Sequence, residues 1–354
     1  MSKRFLILGG TGSLGKTLIE RLKNNNSIGI FSRDEAKHWT IKNSLSNLQN
    51  IKFFVGDIRD YERLERVILQ FDPEIIIIAA ALKQVDTCEL SPEESIKTNI
   101  VGPQNVIKVI ERNLNNLSCN TVLMVSSDKA CEPVNVYGMC KSISERVVTS
   151  QSSNTNNKKI KFIGTRYGNV LDSRGSIIPL FKYQSENHDS ITITDKRMTR
   201  FVMTLDESVD LILKAIKILE SGEMLIPKLK AMKISDLAKI FARKSGKSVK
   251  TIGVRPGEKI DEKLISSVES LRIKDIGNYY ILEPSYKKLD LTEFNMFEYT
   301  SSGDLLEIEE LEEYLNSLGY LELSVDNYVG NQIEDIDTKI KGQNRRGTNE
   351  IPNV

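Results

Sequence analysis

Histidine is nearly missing from this chain. Its 354 residues include only His38 and His188, both set among polar sequence neighbours. Acid–base chemistry must therefore fall on Asp, Glu, Lys, Tyr or Cys. Cysteine is scarce as well. Cys88, Cys119, Cys131 and Cys140 form no CxxC and no metal-type spacing; no metal site is expected, and free thiols in a reducing compartment are. No apolar run approaches the roughly 20 residues that a spanning helix needs. Neither sign of charge dominates: 49 Lys and Arg against 48 Asp and Glu leave a formal net charge of +1. That balance makes no electrostatic case for nucleic acid or an acidic membrane as partner. The opening "MSKRFLILGG" runs straight into a strand and a glycine turn, without the apolar core and cleavage site of a secretion signal. A cytoplasmic protein is expected.

What is present is ordinary in bulk and specific in detail. Forty per cent hydrophobic and 27 per cent charged residues describe a soluble globular chain. Its length suits one large domain or two unequal ones. The first half alternates short apolar runs, 4–8, 28–31, 51–56, 74–81 and 121–127, with amphipathic segments such as "LGKTLIERLK" and "ERLERVILQF". Continuous apolarity predicts strands buried on both faces, as in a parallel sheet. The alternation predicts an α/β fold, a Rossmann-type doubly wound parallel sheet, with a further strand in 159–170. Beyond about residue 170 the elements shorten and turns become frequent. A dinucleotide-binding domain with the catalytic segment is expected over 1–170, a smaller C-terminal, mainly substrate-binding region over 171–320, and a polar, disordered tail over 321–354.

"GGTGSLG" joins the first strand to a helix, with Gly9, Gly12 and Gly15 spaced GxxGxxG. Glycine there allows a tight turn and close approach to a pyrophosphate at a helix N-terminus. Thr11, Ser13 and Leu14 complete this cradle. An ordinary strand-to-helix turn is the bland alternative; placement at the start of a βαβ pattern favours a dinucleotide. The second strand ends "IFSRDE", so Ser32 and Arg33 precede the acidic Asp34. A hydroxyl and a guanidinium suit a 2′-phosphate and point to NADP over NAD. Asp57 and Ile58, after the third strand, are placed to meet the adenine.

The segment "SSDKACEPVNVYGMCK" puts Tyr137 and Lys141 four residues apart on one helix face. A phenol with pKa near 10 is a poor base at neutral pH, and a nearby ammonium would lower it. YxxxK alone arises often by chance. A glycine cradle upstream and the strand end at Ser126 and Ser127 give it weight.

Together, "GGTGSLG", "AAALKQV", "KTNIVG", "SSDKA", "VYGMCK", "RYGNV…SRGS", "MTRF" and "RPGEK" resemble the extended short-chain dehydrogenase/reductases. More narrowly, the chain resembles the configuration-inverting UDP-N-acetylglucosamine 4,6-dehydratases, nearest the capsule-type branch with 5-epimerase activity. Some members of that branch lack the tyrosine found here as Tyr137. The resemblance implies a lyase that uses bound NADP on a UDP-sugar. Tyr137 would take the 4-hydroxyl proton, Lys129 the C5 proton, and Asp128 would protonate the departing 6-hydroxyl. It also implies cofactor contacts at Ala79, Ala80, Lys83, Ser126, Tyr137 and Lys141. Substrate contacts would come from Lys83, Asn169, Arg174, Arg200, Arg255 and Glu258. Relatives form dimers or hexamers, so a homo-oligomer is expected. The rival readings are a UDP-sugar 4-epimerase, which has no evident use for Asp128 and Lys129, and a cofactor-binding protein without turnover.

Overall fold

Four consecutive isoleucines show why this chain forms a buried parallel sheet. Ile75–Ile78 are each at most 1% exposed, and a strand with no polar face can sit only between two helical layers. The computed structural model describes residues 2–45, 48–154, 159–171, 173, 175–287 and 296–322. It divides into two units. The first comprises 1–168, 205–228 and 263–300, and the second comprises 169–204, 229–262 and 301–354.

The first unit is a Rossmann-type sheet. Its parallel strands are β1 (Arg4–Leu8), β2 (Ser27–Ser32), β3 (Ile51–Val55), β4 (Ile75–Ile78), β5 (Thr121–Val125) and β6 (Lys161–Thr165). They lie in the order β6-β5-β4-β1-β2-β3. Leu8 pairs with Phe31 on one side and Ile78 on the other, so the strand order reverses at the C-terminal end of β1. Ligands of open α/β sheets bind at such a reversal. The connecting helices are α1 (Ser13–Leu22), α2 (Glu35–Ser44), α3 (Tyr61–Phe71), α4 (Val85–Leu90), α5 (Pro92–Ile96), α6 (Gly102–Arg112) and α7 (Val136–Thr149). Each buries one stripe: α3 turns Leu64, Val67, Ile68 and Phe71 inward, and the Asp60 carboxylate caps it by accepting from Arg63 N at 3.0 Å.

A cut at residue 170 is too simple. The chain returns to the first unit, where strand Met224–Pro227 adds to β6 in parallel, followed by antiparallel Tyr279–Leu282 and Ile273–Asp275. These short strands carry little sequence signal, and their pairing is non-local. The second unit holds strands Asn169–Val170, Thr199–Met203 and Ala231–Lys233, with helices Ile177–Asn187 and Ile234–Ser245 around their own apolar core. The expected tail lies outside the described residues from 323 onward. All four cysteines are buried free thiols. Among the described residues no helix is long and apolar enough to cross a membrane.

Behind β6 sits a buried ion cluster. Arg166, 2% exposed, forks onto both Glu269 oxygens at 2.8 Å and onto Glu145 at 3.0 and 2.5 Å. Burial pushes Glu269 up, but the Arg166 charge and its hydrogen bonds prevail and hold it at about 2. Removing one partner of a buried pair leaves an uncompensated charge and costs about 3–5 kcal/mol. Glu269→Ala should lose about that much in urea denaturation. Because the folded carboxyl is depressed, its stabilisation is complete above the ordinary value of 4.5. It is lost as pH falls from there toward about 2. A variant as stable as wild type would remove the cluster from the account of this unit.

Candidate active site

Glycine placement at the end of β1 is dictated by backbone crowding. Gly9 has φ +88°, and a Cβ on it would lie 2.6 Å from Ala80 N. A Cβ on Gly15 would lie 2.4 Å from Gly10 O, so α1 packs directly on the turn. Gly12 is exposed, with room around its Cα, and its N–H donates to Gly9 O at 3.1 Å. The N-cap residue Gly12 supplies no side-chain cap to α1. The first turn of α1 presents a helix N-terminus of the kind that suits an anion. Ala79 and Ala80 follow β4 beside Gly9, with Ala79 N bonded to Leu8 O at 2.9 Å. These residues fit the pyrophosphate of a dinucleotide.

At the end of β2, Ser32 Oγ accepts from Thr11 Oγ1 at 2.9 Å. Arg33 is exposed, with Nη1 3.6 Å from Asp57 Oδ2. Asp57 is clamped by Arg59 through N, Nε and Nη2 at 2.9, 2.9 and 2.6 Å. Burial pushes its carboxyl up, yet these bonds and both arginines bring it below the usual range. The Ile58 side chain packs into the core at 4% exposure, and its carbonyl is taken by Asn105 Nδ2 at 3.1 Å. His38 is not the polar-surface residue its sequence neighbours suggest. It is 5% exposed, with Nε2 2.7 Å from Ser32 Oγ.

The catalytic segment leaves β5 through Ser126 and Ser127 into a single 3₁₀ turn, Asp128–Ala130. Asp128 N donates to Tyr167 O at 2.9 Å, tying the turn to the end of β6. Asp128 is 1% exposed; its Oδ1 accepts from Ser127 Oγ at 2.9 Å and from Lys129 Nζ at 3.2 Å. The Lys129 side chain is 20% exposed, so neither group is free in bulk solvent. Ser126 Oγ is buried with no hydrogen-bond partner among the described residues. A buried hydroxyl of this kind calls for a ligand or water.

Tyr137 stands on the first turn of α7, where Asn135 caps the helix by accepting from Gly138 N at 2.8 Å. The lowered phenol expected from Lys141 does not occur. Burial pushes Tyr137 up to about 12; the Lys129 charge and a Ser127 hydrogen bond oppose this, while Asp128 and Cys88 reinforce it. Lys129 is thus the cation that acts on Tyr137 most strongly. Lys141 donates to Val125 O at 2.6 Å, and burial brings it down to about 8 against the charge of Glu145. Asp128, Lys129 and Tyr137 are electrostatically coupled, and Lys141 braces the strand end through Val125 O.

Lys83 is exposed on the segment after β4. Asn99, in a π-helical turn over Lys97–Val101, holds that segment by taking Leu82 N at 2.8 Å and giving to Leu82 O at 2.9 Å. In the second unit, Asn169 Oδ1 is buried without a hydrogen-bond partner among the described residues. Arg255 and Glu258 close one turn, with Nε 3.7 Å from Oε1. The Arg200 fork expected for a diphosphate goes instead to the carbonyls of Thr199, Ile260 and Lys259 at 2.6, 2.9 and 3.1 Å. Arg174 lies outside the described residues.

The fold is a Rossmann-type sheet with a carboxylate–ammonium pair and a buried tyrosine gathered beyond the end of β5. The chain belongs to the polysaccharide biosynthesis protein family, whose model matches residues 5–284. It is 43% identical over 292 residues to an inverting UDP-N-acetylglucosamine 4,6-dehydratase of Campylobacter jejuni, covering 81% of this chain and 85% of that one. It is also 37% identical over 347 residues to a UDP-glucose 4-epimerase of Rickettsia bellii, covering 92% and 99%. Among solved structures, Pen from Bacillus thuringiensis superposes with a TM-score of 0.83 at 32% identity, covering 90% of this chain and 98% of that one.

Sequence reasoning missed Gly138. A Cβ there would lie 2.2 Å from Lys129 O, so glycine alone lets α7 abut the Asp128–Ala130 turn. A glycine inside a helix start, where it is disfavoured, was the available signal. Gly138→Ala should lower the melting temperature by about 3–4 °C, the scale of a destabilisation of about 2–3 kcal/mol in a chain of this length. An unchanged melting curve would mean that the turn can yield.

Proposed function

We propose that this chain is an NADP-dependent UDP-N-acetylglucosamine 4,6-dehydratase that inverts C5. Its product would be a 4-keto-6-deoxy UDP-sugar for glycan synthesis. The observation that carries the reading is the shielded Asp128–Lys129 pair, 3.2 Å apart, beside Tyr137. The 43% identical Campylobacter jejuni dehydratase supports it.

A nicotinamide cofactor, when bound, would supply the hydride chemistry, oxidation at C4 and reduction at C6. Tyr137 receives the proton of the 4-hydroxyl, with the Lys129 charge and the Ser127 hydrogen bond favouring its phenolate. Once Tyr137 is protonated, the proton of the Lys129 ammonium passes along its hydrogen bond to Asp128, and the neutral Lys129 so formed removes the C5 proton that the C4 ketone has acidified. Asp128 gives its proton to the 6-hydroxyl, which leaves as water. Lys129 is then protonated and Asp128 ionised, the state in which the pair began. A proton delivered to the opposite face of C5 inverts that centre, balanced by release of the proton that Tyr137 took from the 4-hydroxyl, which restores the phenolate. Lys141, which holds the strand end through Val125 O, would also hold the cofactor ribose. The cradle from Gly9 to Gly15 would hold the pyrophosphate, and Ser32 and Arg33 would take the 2′-phosphate. Asn169, Arg255 and Glu258 remain substrate candidates, with the second unit as the mainly substrate-binding part. A cytoplasmic homo-oligomer, dimer or hexamer, completes the reading.

A UDP-sugar 4-epimerase, the name carried by the Rickettsia bellii relative, would need Tyr137 and Lys141 but not the Asp128–Lys129 pair. Lys129→Ala should cut product formation from UDP-N-acetylglucosamine by about 10²–10⁴-fold. The bound nucleotide, measured by extraction, should remain. Unchanged turnover would remove Lys129 as the base, and UDP-N-acetylgalactosamine as the product would establish the epimerase.

A further inference from the structure

We propose that His38 is a positioning residue that sets cofactor specificity: it turns the Ser32 hydroxyl into a dedicated donor that favours an adenosine 2′-phosphate over a free 2′-hydroxyl. This rests on the cofactor reading above and extends it to a residue outside the glycine cradle.

His38 lies on α2, packed against the Phe53 ring at 5.7 Å between centroids. Its Nε2 is 2.7 Å from Ser32 Oγ, and its Nδ1 is buried with no hydrogen-bond partner among the described residues. An orphaned N–H is rarer in protein interiors than an under-used acceptor, so the network places the proton on Nε2, donating to Ser32. Ser32 Oγ also accepts from Thr11 Oγ1 at 2.9 Å. A hydroxyl has two acceptor sites and one donor. Both acceptor sites of Ser32 are filled from within the protein, and only its own proton is left for a ligand. A phosphate oxygen can take that proton. A ribose 2′-hydroxyl also needs somewhere to donate, the service that a carboxylate performs in NAD sites.

The two nearby carboxylates are engaged elsewhere. Asp34 accepts from Lys37 N at 3.0 Å and from Lys37 Nζ at 2.7 Å. Asp57 is clamped by Arg59. Burial lowers the His38 pKa against the opposing charge of Asp34, keeping the ring neutral with one N–H to give. Ser32 alone would be an ambivalent hydroxyl; Thr11 and His38 make it one-sided.

The test is competitive retention of nucleotide by the purified enzyme. Wild type, His38→Phe, His38→Gln and Ser32→Ala are exchanged against equimolar NADP and NAD, and the retained nucleotide is extracted and quantified. Melting curves run alongside. Wild type should retain NADP. His38→Phe keeps a ring but loses the donor, and should shift the ratio at least tenfold toward NAD, about 1.4 kcal/mol. His38→Gln, whose amide can donate, should hold the wild-type ratio. Ser32→Ala should shift as His38→Phe does, and decides the matter if His38→Phe fails to fold. A wild type that retains NADP, with an unshifted ratio in His38→Phe or Ser32→Ala, would overturn the role of His38 and leave the cofactor reading standing. A wild type that retains NAD would overturn that reading and the inference with it.

Discussion

The path of the backbone from Ser126 to Ala130 is the constraint on which the candidate site depends. Two anchors fix it: the Asp128 N–H on Tyr167 O, and the Lys129 carbonyl against Gly138. Tyr167 in turn follows Arg166, whose guanidinium is gripped by Glu145 from α7 and by Glu269. The strand end, the tyrosine helix and the turn between them are therefore tied into one body. A carboxylate–ammonium pair can be held out of bulk water only if the backbone that carries it cannot relax.

The charges around that turn show which effect prevails where. For Tyr137, desolvation outweighs the one nearby cation, so the phenol stands at about 12. For Glu269, two charge-assisted bonds outweigh a comparable burial, and the carboxyl stands at about 2. The difference lies in the number and geometry of partners: Arg166 offers a bidentate fork, whereas Lys129 is a point charge shared with Asp128.

Much of the fold was legible because buried parallel strands leave a local signature. β1 matches its apolar run over residues 4–8, and the 74–81 and 121–127 runs contain β4 and β5. The runs overshoot where Ala79, Ala80, Ser126 and Ser127 peel away to build the site. Sequence periodicity cannot mark that departure, because it depends on what lies next to the strand end. The strands at Met224–Pro227 and Tyr279–Leu282 escaped for a related reason: their pairing is set by partners distant in the chain. The glycine cradle and the Asp-Lys and Tyr-Lys spacings were visible as motifs. The engagement of Arg200 with backbone carbonyls, of Lys141 with Val125 O, and of His38 with Ser32 was not. Helical spacing tells which face a side chain shares, not which carbonyl or hydroxyl waits opposite. His38 is flanked by Lys37 and exposed Trp39, yet Phe53 from β3 packs against it.

The central claim is that the Asp128–Lys129 pair takes a proton from the fifth carbon of a UDP-sugar. Proton NMR of UDP-N-acetylglucosamine incubated with the enzyme in deuterated water tests this most directly. The account predicts a 4-keto-6-deoxy product that carries deuterium at C5 and has inverted configuration there. A product altered only at C4, with its C5 proton retained, would contradict it.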